Sequence, residues 1–314
     1  MKPLKTPKLV HLLLLALGLL GGCGAITVKT DPGHSERLLA ATRTNAAVKP
    51  AVPAAAAKAA PASAADGLRL ARLLRDQQRL EAAAEVYAQL EQRNALAPLE
   101  LLEYASVAAA VQPPVDSLAL FGRARRALEP ATLAPAATAT VCNGLGRARM
   151  ALGQTDAALR DFDCTLAADA DNVVALNAKG VLLDADGRHA EARTLLERAS
   201  QLAPADSRIL NNLALSYLAS RDNARAVRLL RQAQAPDQPA LALNLALAYT
   251  LQGDERAART TLLAMMPETL ATRALADFSG RRDRIAAGAP VADELLAASR
   301  QQLALRESEG RGHE

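Results

Sequence analysis

Two small residues and a turn recur along this chain at a fixed interval. Gly146 and Gly180 are 34 positions apart, as are Gly153 and Gly187, and Ala158 and Phe162 correspond to Ala192 and Leu196 at the same offset. A period of this length means that one supersecondary unit is stacked several times, because a single unit cannot bury its apolar face alone. Inside the unit the apolar positions fall at helical spacing: Leu145 and Met150 then Phe162 in one copy, Leu176 and Leu183 then Leu196 in the next. Beyond residue 66 there is hardly a β-branched run. The unit is two helices joined by a glycine turn, and the chain is all-α.

Each recurring position in the unit has a physical reason. Gly146 and Gly180 face Ala158 and Ala192, and only small side chains let two helices approach closely enough to interlock. Gly153 and Gly187 end the first helix in the left-handed conformation that glycine adopts freely. Pro204 stops the second helix. In these respects the chain resembles the tetratricopeptide repeat, which implies a right-handed α-solenoid.

Further units follow with looser spelling. Leu210, Leu213-Ala214 and Tyr217 lead to Ala226 and Leu230; Leu245-Ala246 and Tyr249 lead to Gly253, Ala258 and Leu262. Upstream, Leu70-Ala71 and Leu74 with Ala83 and Tyr87, and Leu101 and Tyr104-Ala105 with Ser117 and Phe121, spell two degenerate copies. The expected organisation is about six hairpins: two over 66–131 and four over 139–270. Thr132 to Thr138, with Pro135, reads as an extra joint between two sub-stacks. Within 271–314, Leu275 to Ala287 reads as a cap, Val291 to Leu305 as one more exposed helix, and 306–314 as a disordered tail.

The N-terminus speaks of compartment. Lys2, Lys5 and Lys8 precede an apolar run from Leu9 to Leu20, shorter than the roughly 20 residues a bilayer span needs. Leu20-Gly21-Gly22-Cys23 then resembles the bacterial lipobox, which implies a signal peptide over 1–22, acylation of Cys23 and a mature chain starting there. Gly24 in place of an aspartate resembles an outer-membrane address, with the protein facing the periplasm. From Cys23 to residue 65 the chain is rich in alanine and proline, with Pro50, Pro53 and Pro61 forbidding one continuous helix. This stretch is expected to be a flexible tether reaching at most about 110 Å.

Charge and composition exclude other classes. The chain carries 37 Lys and Arg against 33 Asp and Glu, but the three lysines of the leader leave 34 against 33 in the remainder. With aromatic residues at 2% and no tryptophan there is no stacking platform for single strands, so nucleic acid is not expected as a partner. Of the four histidines, His11, His34, His189 and His313, no two share a helical face, so no metal site is expected, and nothing spells a cofactor or a small-molecule substrate. No catalytic constellation is expected either. Asp161 and Asp163, His189, and Arg281-Arg282-Asp283-Arg284 all read as solvated surface.

Two cysteines remain beside Cys23. Cys142 lies near the start of a first helix and Cys164 near the end of the antiparallel second, so their levels coincide. A disulfide is favoured over two buried thiols if both point inward. Solenoid first helices line the concave face, and there the positions used to clamp carboxylates in related repeats carry Asn143 and Arg147, then Ala178, then Arg208 and Asn212. Arg147, Arg208 and Asn212 suit an acidic segment, whereas Ala178 breaks the pattern. Asn177, Asn211 and Asn244 read as structural, bonding backbone at the helix interface, though Asn177 and Asn211 stay candidates for the groove.

Two segments, Ile209-Leu210-Asn211-Asn212-Leu213-Ala214-Leu215-Ser216 and Leu243-Asn244-Leu245-Ala246-Leu247-Ala248-Tyr249, add a narrower resemblance. With the lipobox and the tether, they resemble the TadD-type lipoproteins of the tight-adherence (Tad/Flp) pilus system. That resemblance implies a scaffold for type IVb pilus assembly that helps a secretin insert or multimerise. The alternative reading is a periplasmic lipoprotein adaptor for peptidoglycan hydrolases or envelope proteases.

Overall fold

The computed structural model describes residues 63–129, 134–233, 238–295 and 298. The leader, Cys23, the tether as far as residue 62 and the tail over 306–314 lie outside them. No strand occurs among the described residues. Successive helices pair into antiparallel hairpins. The first two hairpins are α1 (Ala64–Asp76) with α2 (Leu80–Gln92), and α3 (Pro98–Ala108) with α4 (Pro114–Leu128). The next two are α5 (Pro135–Ala151) with α6 (Thr155–Ala168), and α7 (Val173–Ala185) with α8 (His189–Leu202). Then come α9 (Ser207–Ala219) with α10 (Asn223–Ala233), α11 (Pro239–Gln252) with α12 (Glu255–Leu263), and lastly α13 (Glu268–Ala286).

Local chemistry sets the starts of these helices. Ser63 caps α1 by accepting from the Asp66 amide, so the helix begins at Ala64. Asn172, Asp206 and Asp254 cap α7, α9 and α12 in the same way. Proline opens α3, α4, α5 and α11, where its missing N–H costs nothing. Pro135 is therefore the first residue of a helix, and residues 135–138 are its first turn and not part of a joint; residues 130–133 lie outside the described ones.

One turn geometry closes the first helix of nearly every hairpin. A residue one or two positions past the helix end takes a positive φ at Gln78, Gly153, Gly187, Arg221, Gly253 and Gly288. The next amide reaches back to the carbonyl five residues earlier, at 2.9 Å in all six: Arg79 to Leu74, Gln154 to Arg149, Arg188 to Leu183, Asp222 to Tyr217, Asp254 to Tyr249 and Ala289 to Arg284. The second hairpin departs from this rule, with Pro113 and Pro114 in its turn.

Gly288 reveals a hairpin that the spacing concealed. Residues 291–295 are helical again, and Val291 and Ala298 are buried. Residues 291–295 thus belong to the second helix of a seventh hairpin packed on its neighbours, not to an exposed one, and α13 is its first, starting at Glu268 and not at 275. The small-residue position, seven before the turn at Ala71, Gly146, Gly180, Ala214 and Ala246, is occupied here by Arg281. Arg281 is buried and pairs with Asp277 at 2.8 Å and Glu294 at 3.3 Å, so it is no solvated surface residue. Arg282 and Arg284 stay near the surface, paired with Glu255 and Glu294.

Within the other six hairpins a single column forms the core. Tyr87, Phe121, Phe162, Leu196, Leu230 and Leu262 are all buried, each four residues after a buried Ala83, Ser117, Ala158, Ala192, Ala226 or Ala258. A methyl group on Gly146 would stand 2.8 Å from the Phe162 ring, and one on Gly180 would stand 2.7 Å from Leu196. The helices are as close as these glycines permit. Successive first helices also touch one another from α3 to α13, whereas second helices hardly meet. The first helices therefore line the inner, concave side.

Candidate functional site

The inner faces of α5, α7 and α9 enclose a small hollow of about 70 Å³. Arg147 and Met150 come from α5, Val174 and Asn177 from α7, and Arg208 and Ile209 from α9. Val174, a large apolar side chain, is 48% exposed there. Arg208 is held by Asp206, Nη2 to Oδ2 at 2.7 Å, an acid that also caps α9. Arg147 makes no ion pair among the described residues. It is open to water yet walled by protein. That crowding first, and the like charge of Arg208 second, push its guanidinium below the ordinary arginine range. It remains a cation. An anion entering the hollow would relieve both costs.

The structure thus brings Arg147, Asn177 and Arg208 together. Asn211 and Asn212 are buried instead between first helices. Asn212 Nδ2 donates to Asn177 Oδ1 at 2.9 Å, and Asn244 Nδ2 donates to Asn211 Oδ1 at 2.7 Å. Among the described residues these asparagines bond one another across successive hairpins and not the backbone. Asn143 lies one turn before Arg147, with a buried Oδ1 that has no hydrogen-bond partner among the described residues.

Comparison with known proteins agrees with this geometry. The tetratricopeptide repeat family model matches residues 209–239. A tetratricopeptide repeat protein from Parabacteroides merdae ATCC 43184 superposes with a TM-score of 0.51 at 16% identity, over 75% of this chain and 98% of that one. The APC/C hetero-tetramer Cut9–Hcn1 gives 0.58 at 17% identity, over 69% of this chain and 43% of that one. The fold is an α-solenoid of tetratricopeptide-type hairpins. A stretch of 106 residues is also 38% identical to the cellulose synthase 1 operon protein C of Komagataeibacter xylinus, covering 32% of this chain and only 8% of that protein. Proteins of this fold bind protein partners along their extended concave surface.

Other residues singled out by the sequence take definite places in this fold. Cys142 of α5 and Cys164 of α6 form a disulfide, with Cα atoms 5.9 Å apart. Asp161 is buried and receives Arg149 Nη1 at 2.7 Å; burial raises its carboxyl although Arg149 opposes the shift. Only Asp163 keeps an exposed position, paired with Lys179. His189 is half-buried, its Nδ1 2.7 Å from Oδ1 of Asp184 across the turn, and burial raises the Asp184 carboxyl. Helical spacing marks the core positions but not which polar residues beside them lean inward. No group of three potential ligands that could hold a metal occurs among the described residues. Likewise, no helix there is long and apolar enough to cross a membrane.

Proposed function

We propose that this solenoid is an outer-membrane-anchored scaffold of Tad/Flp pilus assembly, whose groove along α5, α7 and α9 holds an acidic segment of a secretin or another assembly component. The observation that carries the reading is Arg147, a cation without an ion pair among the described residues on the concave face, beside Arg208 and the exposed Val174. A charged anchor next to an apolar one suits an extended segment bearing both kinds of side chain. The lipobox ending at Cys23 supplies the membrane anchor, so that acyl chains fix one end while the groove holds the partner.

The test is the heat-stable secretin multimer in outer-membrane fractions. It is compared among wild type, a deletion strain, Cys23→Ala and Arg147→Glu. The reading expects loss of the multimer in the deletion and in Cys23→Ala, and a marked reduction in Arg147→Glu. A multimer untouched in the deletion strain would remove the pilus role and favour the envelope adaptor.

A further inference from the structure

A larger opening lies elsewhere, where the second hairpin meets the third. It is a cleft of about 520 Å³ bounded by α4 on one side and the later turns of α3 and α5 on the other. That volume falls within the range of ordinary ligand pockets, and it is far larger than the hollow at Arg147. Its floor is apolar, with Leu120 and Leu145 buried and Leu118 half-buried. Its wall on α4 is made of small residues, Ala119 and Gly122.

The rim is cationic. Arg123, Arg126 and Arg149 line the cleft against one acid, Asp116. Arg149 is held to Asp161 through Nη1 at 2.7 Å, and Arg123 to Glu91 through Nη2 at 2.9 Å. Each is positioned by one nitrogen and keeps further N–H donors of its fork. Arg126 makes no ion pair among the described residues, and its Nη1 lies 3.7 Å from where a Cβ on Gly122 would be. The guanidinium is therefore folded back over the glycine, along the cleft wall.

Three arginine forks above a leucine floor complement a polypeptide that carries carboxylates and large aliphatic side chains close together. We propose that this cleft is a second docking site, independent of the concave groove, for a segment of a partner protein in which glutamate or aspartate alternates with leucine-sized residues. The Arg-carboxylate contacts would fix its register while the aliphatic side chains cover Leu118, Leu120 and Leu145. With two sites on different faces, one solenoid can hold two partners, or two segments of one partner.

The experiment uses the full chain and a fluorescein-labelled peptide of alternating glutamate and leucine, followed by anisotropy. Its counterpart with lysine for glutamate is the control. Arg126→Glu reverses the cation that has no ion pair among the described residues, and Gly122→Leu puts bulk into the cleft from a position whose Cβ would meet nothing nearer than Arg126 Nη1 at 3.7 Å; helical content by circular dichroism checks that both fold. The acidic peptide is expected to bind and the lysine peptide not to. Measured in an Arg147→Glu background, which removes the concave groove's share of the binding, each cleft variant is expected to weaken binding about tenfold or more. Equal binding in that background with and without the cleft substitutions would overturn the proposal. So would a loss confined to Arg147→Glu, which would assign the acidic segment to the concave groove instead. Displacement of the peptide by phosphatidylglycerol vesicles in wild type but not in Arg126→Glu would overturn it in favour of a lipid headgroup.

Discussion

Asn212 donates its side-chain amide to the Asn177 carbonyl oxygen at 2.9 Å, joining the first helices of two successive hairpins inside the core. Both residues are at least nine-tenths buried. Removing one partner leaves the other's polar group stranded, at a cost of about 1–3 kcal/mol. Asn177→Ala is therefore expected to destabilise by that amount, and Asn177→Ala/Asn212→Ala by less than the sum of the two single changes. Urea unfolding of the full cycle reads the coupling; strict additivity would mean that the pair contributes nothing of its own.

The contact of Gly146 with Phe162 makes a sharper prediction about packing. A methyl at 146 would stand 2.8 Å from the ring, so Gly146→Ala must push α5 and α6 apart. Overpacking of this kind costs about 1–3 kcal/mol. The fifth and sixth hairpins pair alanine with leucine at the same two stations, Ala214 with Leu230 and Ala246 with Leu262. Gly146→Ala/Phe162→Leu recreates that pair and should recover a large part of the loss. Thermal unfolding of the three variants checks this. A double variant no more stable than Gly146→Ala would show that the hairpins are not interchangeable at this level.

These two contacts also mark what the sequence made legible. The small and large stations at Gly146, Gly180, Phe162 and Leu196 are readable because they follow from helix separation, which repeats identically at every hairpin. The glycine turns are readable where glycine stands, at 153, 187 and 253. The same turn is filled by Gln78 and Arg221, which take the left-handed conformation without advertising it. The seventh hairpin escaped because Arg281 occupies a station that calls for glycine or alanine, with charge replacing close contact. Of the groove, Arg147 and Arg208 follow from position on the concave face. The burial of Asn211 and Asn212 does not, since adjacent positions on a first helix divide between the groove and the neighbouring helix by a rotation that spelling does not encode. The arginine-rimmed cleft needs the meeting of α3, α4 and α5, which no single repeat contains.

The first two hairpins are clasped by a carboxylate. Glu103 of α3 accepts from Arg72 of α1 at 2.7 and 2.8 Å, and from the Tyr87 hydroxyl of α2 at 2.9 Å. The bond from Arg72, and after it that from Tyr87, holds the Glu103 carboxyl below the usual glutamate range, against the opposing effect of burial. A depressed pKa in the folded state gives stability that is present above the unfolded value and is lost as pH falls through the folded one. The wild type should therefore lose stability below the unfolded glutamate value of about 4.3 more steeply than Glu103→Gln. At neutral pH the variant should be less stable by about 1–2 kcal/mol, a hydrogen-bonded charge at a partly exposed site. Denaturant unfolding between pH 3 and 7 tests this; parallel pH profiles would show that the clasp contributes no charge-linked stability.

The disulfide between Cys142 and Cys164 closes a loop of 22 residues and ties α5 to α6. In the chain-entropy model such a loop contributes about 3 kcal/mol by narrowing the unfolded ensemble. For a folded region of this size that corresponds to roughly 6–12 °C in Tm. The bridge acts on one hairpin, and in a solenoid each hairpin is held mainly by its neighbours. Reduction should therefore loosen the third hairpin first and weaken the stack on both sides of it. The measurement is thermal unfolding with and without reductant in a Cys23→Ala background, where no other cysteine is present. Cys142→Ser/Cys164→Ser should melt with the reduced protein, and hydrogen exchange in α5 and α6 should speed up before that in α9 or α11. If the melting point is indifferent to reductant while two thiols titrate in the untreated protein, the pair is not bridged in solution, and the third hairpin is held by Phe162 and Gly146 alone.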